Sequence, residues 1–355
     1  MKEIFSKRLL NARKQANLSQ DELVSLIEGK VKKTAIAKYE RGEMMADADV
    51  VVALAKALHQ RVDYFYRPFN VEIANIEFRA KASLGTRKEE SLRQLIASRI
   101  ERYIELEQLL NVSARFVNPL ADMLITSQQD AEQAAIELNK AWKLGSDALG
   151  KVLAILEDNG IKVIEIEADS GFDGYSALVN DNIPVIVLRS NNSTTERKRL
   201  TALHELAHLL LRFAAGITSN EKERLCSRFA GALLLPADNL YKELGRHRSS
   251  ISGYELGLLK DKYGVSAAAI VVRAYQLDVI TNFIQIKLIN YCRKTLLETH
   301  IGSNHSSDNA SRFDLLLSRA LTEDMISQNK AAELAFMTLD DFLTKYHFND
   351  KVDDY

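Results

Sequence analysis

Apolar residues recur at helical spacing through most of this chain, and strand-like alternation appears in only one stretch. Leu9, Leu10 and Ala12 lead a first helical stretch that runs out near Asn17. Ser19 with Glu22 three residues on predicts an N-cap and capping box ahead of Leu23, Leu26 and Ile27. Gly29 breaks that helix. TAIAKYE restarts it from Thr34, and Arg41-Gly42 ends it again. A longer apolar helix, Val50 to Leu58, and the pair Tyr64-Phe65 close the cluster. Ile36, Leu23, Leu54 and Tyr39 fall on its inner face. The pattern predicts a five-helix bundle in which two short helices flank a glycine turn.

Two more amphipathic stretches follow, one from Leu92 to Leu109 and one around Ala134, Ile136 and Trp142. The texture then changes. Residues 162–167 alternate as a strand, 173–179 form a second, Asn180-Asp181-Asn182 turns, and 183–188 form a third. Pro184 argues for an edge position of that last strand. Ser193-Thr194-Thr195-Glu196 reads as an N-cap region for a strong helix over 197–213, and several others complete the chain, with Ser327 as a cap in the C-terminal part. The fold class is therefore mainly α with a small antiparallel sheet, an α+β arrangement. The domain boundaries expected are 1–68, a helical connector 69–150, a sheet-containing domain 151–280 and a helical tail 281–355.

Composition fits this division. A length of 355 residues calls for two or three domains. The net charge of −1 argues against a nucleic-acid partner only as an average. Residues 1–68 hold thirteen basic against nine acidic residues, a net +4, so the remainder carries −5. Two cysteines, Cys226 and Cys292, build neither a disulfide framework nor a four-thiolate zinc site, and fit a reducing cytoplasm. The N-terminal MKEIFSKRLLNARK lacks the apolar run of a secretory signal, and no apolar stretch reaches membrane-spanning length.

The segments LSQDEL, KKTAIAKYERG, ALAKAL and VDYFY resemble the phage-repressor-like (XRE-type) helix-turn-helix family across residues 5–66. The resemblance implies that Gln20 opens the second helix and contacts DNA backbone or bases. It also implies that Lys33 and Thr34 open the recognition helix, with Lys38 one turn further on. Lysine suits phosphate or guanine, and glutamine and threonine suit base edges or phosphate. Ala35 and Ala37 leave few groups for base reading.

The chemical centre of the sequence is His204-Glu205-Leu206-Ala207-His208. On a helix, histidines four apart project from one face and can share one Zn²⁺, with the adjacent glutamate placed to act as a base. A catalytic zinc takes a third protein ligand and keeps one position open. Downstream, Leu225, Cys226, Phe229, Ala230, Leu233 and Leu234 define one buried helix face, and Glu223 lies on it. Glu221 is about 160° off that face. Glu223 is thus the expected third ligand, with the Cys226 thiolate as the rival.

GFDGYSALVNDNIPVIVLRSNNSTTERKRLTALHELAHLLL and the following ExxCxxFAGALLLP resemble the ImmA/IrrE metallopeptidase family over about residues 151–280. That resemblance implies a Zn²⁺ site (Mn²⁺ as the alternative) held by His204, His208 and Glu223, with Glu205 as catalytic base. It implies a protein substrate of the repressor class, whose cleavage derepresses genes. Tyr175 and Arg273 are candidate oxyanion or substrate contacts, and strand 183–188 a candidate acceptor of the substrate as an added strand. Together the resemblances imply a DNA-binding regulator with a zinc endopeptidase. It would act on a double-stranded operator as a homodimer, away from membranes, and cut a repressor, an antitoxin-like protein or itself. The alternative is a transcription factor whose peptidase-like domain senses or scaffolds without turnover. A toxin of a toxin–antitoxin pair is the third reading.

Overall fold

The computed structural model describes residues 1–68, 86–112, 116–180, 182–295 and 307–346. The first part of the expected connector (69–85), the turn residue Asp181 and part of the expected C-terminal tail lie outside the described residues. Packing divides the chain into two compact units, Met1–Ser113 with Leu315–Tyr355, and Ala114–Asp314. This division departs from the boundaries read in the sequence.

In the first unit, α1 (Lys2–Gln15), α2 (Gln20–Leu26), α3 (Lys33–Glu40) and α4 (Ala48–Ala57) enclose a core of Phe5, Leu9, Leu23, Ile36, Tyr39, Leu54 and Phe65. The fifth helix of the bundle is a short 3₁₀ turn, Val62–Tyr66. Ser19 caps α2 and forms the capping box with Glu22. Gly29 takes φ +65 after α2, a conformation that glycine adopts without a Cβ penalty. Leu26 faces solvent, against expectation, because only one side of so short a helix reaches the core. The long α5 (Thr86–Leu110) lies against α1, where Arg8 is buried and donates to both Glu101 carboxylate oxygens at 2.6 and 2.7 Å. That ion pair joins α5 to the helix-turn-helix bundle.

The second unit begins with the two-residue strand β1 (Leu124–Ile125) and α6 (Gln128–Ala141). Ala134 is fully buried, Trp142 packs at the margin of the core, and Ile136 is half-exposed instead of buried. After α7 (Val152–Asp158) come β2 (Lys162–Ile166), β3 (Gly174–Val179) and β4 (Ile183–Arg189). The sheet order is β2-β4-β3, with β2 parallel and β3 antiparallel to β4. The sheet is therefore mixed, and β4 is its central strand. Pro184 misled because it stands before the parallel ladder starts: Lys162 of β2 pairs first with Val185. A proline among a strand's first residues removes no ladder bond there.

Helix α8 (Thr195–Leu210), capped by Thr194, packs on the sheet. Strand β5 (Arg212–Phe213) returns to pair in parallel with β1. Helices α9 (Ser219–Leu234), α10 (Ala237–Leu244), α11 (Gly253–Tyr263), α12 (Ala267–Gln276) and α13 (Asn282–Lys294) follow. The core runs through Leu188, Leu203, Leu206, Leu210, Phe229, Leu233 and Ile270, all with at most 3% of their surface exposed. Each such side chain contributes about 1.5–3 kcal/mol on burial.

Helix α14 (Arg312–Thr322) returns the chain to the first unit, where α15 (Gln328–Leu334, capped by Ser327) and α16 (Leu339–Lys345) complete it. There Glu333 pairs with Arg67, Lys330 pairs with Glu105 at 2.7 Å, and Arg102 stacks on Phe336. Helix propensity is legible locally in α5, α15 and α16. Their assignment to the N-terminal bundle depends on these distant ion pairs.

Candidate metal centre and nucleic-acid interface

His204 and His208 sit four apart on α8, so their rings leave the same side of the helix. Glu223 comes from the first turns of α9, which a Thr218–Glu221 capping box starts. Glu221 is accordingly exposed and occupied at the helix N-terminus. The nearest donor atoms form a compact triangle. His204 Nε2 is 3.1 Å from Glu223 Oε2, His208 Nε2 is 3.2 Å from His204 Nε2, and His208 Nε2 is 3.5 Å from Glu223 Oε1. Four ligands about 2.0–2.1 Å from a tetrahedral centre stand about 3.3 Å apart, so these spacings suit one zinc-sized ion. Among the described residues these three form the group able to hold a metal.

The far side of each ring supports the same reading. Ser227 Oγ lies 3.2 Å from His204 Nδ1, and Cys226 Sγ lies 3.4 Å from His208 Nδ1. If each Nδ1 carries the proton and donates it there, both Nε2 lone pairs face the Glu223 carboxylate. Three electron-rich atoms aimed at one point match a cation. Cys226 is thereby removed as a ligand, since it meets His208 on the nitrogen opposite the triangle. Neither support was foreseen, although both residues share the Glu223 face at i+3 and i+4, the spacing that would have revealed them.

Glu205 lies beside the triangle, and Ser176 of β3 donates to its Oε2 at 2.7 Å. Gly174, two residues earlier on the same face of β3, allows this approach. A Cβ there would stand 2.6 Å from Thr201 Cγ2 and 3.2 Å from Glu205 Cγ.

The other two candidates are placed elsewhere. Tyr175 lies between Gly174 and Ser176, so strand alternation turns it to the sheet face away from α8, where it is buried. Arg273 is 2% exposed, donates to the Leu235 carbonyl at 3.0 Å and binds both Glu132 oxygens. Arg228 joins Glu132 from α9 at 2.7 Å. Burial pushes the Glu132 carboxyl up, but the hydrogen bond and charge of Arg273, with those of Arg228, outweigh it and leave it below its ordinary range. Arg273 thus ties α12 to α6 and is spent as a substrate group.

In the first unit, Thr34 and Lys38 are exposed one turn apart on α3. Lys33 is also exposed and bridges to Asp21 at 2.6 Å, an ion pair of the weak surface kind. Gln20 does open α2, but its Nε2 donates to Glu40 at 2.8 Å. Glu40 is also gripped by Arg13 through two hydrogen bonds, so Gln20 serves to fix α2 against α3.

Fold and site define a chain that couples a helix-turn-helix unit to a two-histidine, one-carboxylate centre. Family comparison agrees: residues 9–65 match the helix-turn-helix family model, and residues 156–275 match the IrrE N-terminal-like domain. The chain is thus a DNA-binding regulator type with an IrrE/ImmA-like peptidase-family domain. No curated protein matches it. Among the described residues no helix is long and apolar enough to cross a membrane.

Proposed function

We propose that this chain is a DNA-bound, zinc-dependent regulatory endopeptidase. It cuts a repressor-type or antitoxin-like protein, or its own chain, and so relieves repression. The observation that carries the reading is the His204–His208–Glu223 triangle with Glu205 at its side. A zinc ion (or Mn²⁺) at these donors would supply a Lewis acid for a peptide carbonyl and make nearby water nucleophilic near neutral pH. Glu205 takes the proton from the attacking water and delivers it to the leaving amine nitrogen. Ser176 holds one Glu205 oxygen and so sets the plane of that carboxylate. Strand β3 is an edge of its sheet among the described strands and lies next to α8. An extended substrate would therefore add to β3 and not to the central β4.

The test is to load the full chain with Zn²⁺ or Mn²⁺ and offer the repressor encoded beside it. Cleavage by wild type and none by Glu205→Gln is the expected result. Unchanged promoter control in Glu205→Gln, with no neighbour cut, would reduce the domain to a sensor or scaffold. Growth arrest on expression, dependent on His204, would instead mark a toxin.

For the DNA-binding unit, we propose that a dimer reads a palindromic operator through Thr34, Lys33 and Lys38. Affinity should fall steeply with salt as phosphate contacts are screened. Lys33→Ala with Thr34→Ala should weaken the operator complex more than the non-specific one, and equal loss would reject the assignment.

A further inference from the structure

Two helical stripes leave the metal triangle in the same direction. On α8, Leu200 precedes His204 by one turn; on α9, Ser227 and Gly231 continue the stripe of Glu223 at i+4 and i+8. Leu200, Ser227 and Gly231 line an open groove of about 930 Å³, walled on its far side by α12 and α13. That volume is at the upper end of the range for ligand pockets and exceeds what one side chain requires. Ser227 both lines the groove and contacts His204 Nδ1, so the groove abuts the His204 ring on the side away from the triangle.

The walls have a definite chemistry. Val272 and Ile286 are exposed at 36% and 54%, and Ile289 is partly buried beside them. Gln276, Gln285 and Asn290 supply amides along the same walls. Among the described residues no carboxylate lines the groove, whereas Arg293 of α13 lines it and is exposed. At Gly231 an added Cβ meets only Arg273 Cδ, at 3.8 Å, so the glycine opens space instead of relieving backbone strain.

Resting on the peptidase reading, we infer that this groove seats the substrate segment next to the scissile bond. It selects an extended peptide with a bulky apolar residue flanked by carboxylates. The apolar side chain lies against Val272 and Ile286, the amides meet the peptide backbone, and Arg293 attracts the flanking acids.

The experiment uses the full chain as zinc-loaded Glu205→Gln, so that binding is read without turnover. Fluorescein-labelled twelve-residue peptides carry a central Leu-Phe pair flanked by Glu, the same pair flanked by Lys, or Ala-Ala flanked by Glu. Fluorescence anisotropy should rank the first peptide tightest, with the Ala-Ala peptide about tenfold weaker or more, the loss expected for removing several buried methylenes. Ile286→Glu and Gly231→Leu should each abolish that preference while zinc affinity, read by calorimetry, stays unchanged. Peptide binding indifferent to both substitutions, or no discrimination among the peptides, overturns the groove assignment and leaves the peptidase reading standing. Selective, groove-dependent binding with no cleavage by the wild type overturns the peptidase reading instead, and leaves the groove as a peptide-recognition site.

Discussion

Two polar clusters in the second unit share helix α9 and differ in kind. Around Glu132, two guanidinium groups meet one carboxylate, and Arg273 also donates from Nε to a backbone carbonyl. Opposite charges meet within the protein, two positive groups on one negative. Around His204, two imidazoles and a carboxylate bring electron-rich atoms within 3.5 Å of one another. The first cluster is complete as a brace between α6, α9 and α12, whereas the second is complementary to something positive. A buried charged residue near a site is therefore informative only once its partners are counted, and Arg273 shows the cost of skipping that count.

Removing the centre of the brace should cost the most. Glu132→Gln leaves Arg273 and Arg228 without their counter-charge and should destabilise the unit by about 3–5 kcal/mol in denaturant titration. The same measurement on metal-free Glu223→Ala should show a change within about 1 kcal/mol, since like-natured atoms are being separated. A comparable loss in both would make the histidine cluster a structural network. Next in size is the ion itself. Zinc at a thousandfold excess over its Kd should stabilise wild type by about 4 kcal/mol, and Glu223→Ala should lose nearly all of that gain.

Ser227→Ala sharpens the contrast at smaller scale. Loss of the Nδ1 partner of His204 should weaken zinc binding about 10–100-fold by calorimetry with little change in the metal-free melting point. Glu157 supplies an intermediate case, a carboxyl that accepts from backbone N–H groups. Burial pushes it up to about 7, against the hydrogen bonds it accepts from Ser311 and Arg312 N–H groups. Because the folded value lies above the ordinary 4.5, its contribution is intact below about pH 4.5 and is lost as pH rises through 7. Stability should fall by on the order of 2 kcal/mol across that window, and Glu157→Gln should flatten the slope.

What was legible in the sequence was local. Capping at Ser19, Thr194 and Ser327, the i,i+4 histidines, and the helical face that selected Glu223 over Glu221 all follow from spacing along one helix. Pro184 and Tyr175 failed for a shared reason: strand order and the facing of a strand are set by partners, and alternation alone does not name them. The same holds for α5 and the C-terminal helices. Their amphipathic pattern announced a partner, and Glu101 and Glu333 chose it.

The spans of these contacts set the order in which the chain completes itself. His204 and Glu223 are 19 residues apart, a short loop that closes at little entropic cost. Arg67 waits 266 residues for Glu333. During synthesis the three candidate donors are made well before the tail, so their cluster can close ahead of the finished packing of the helix-turn-helix unit. Helices α15 and α16, made after the second unit, are the ones that close the first.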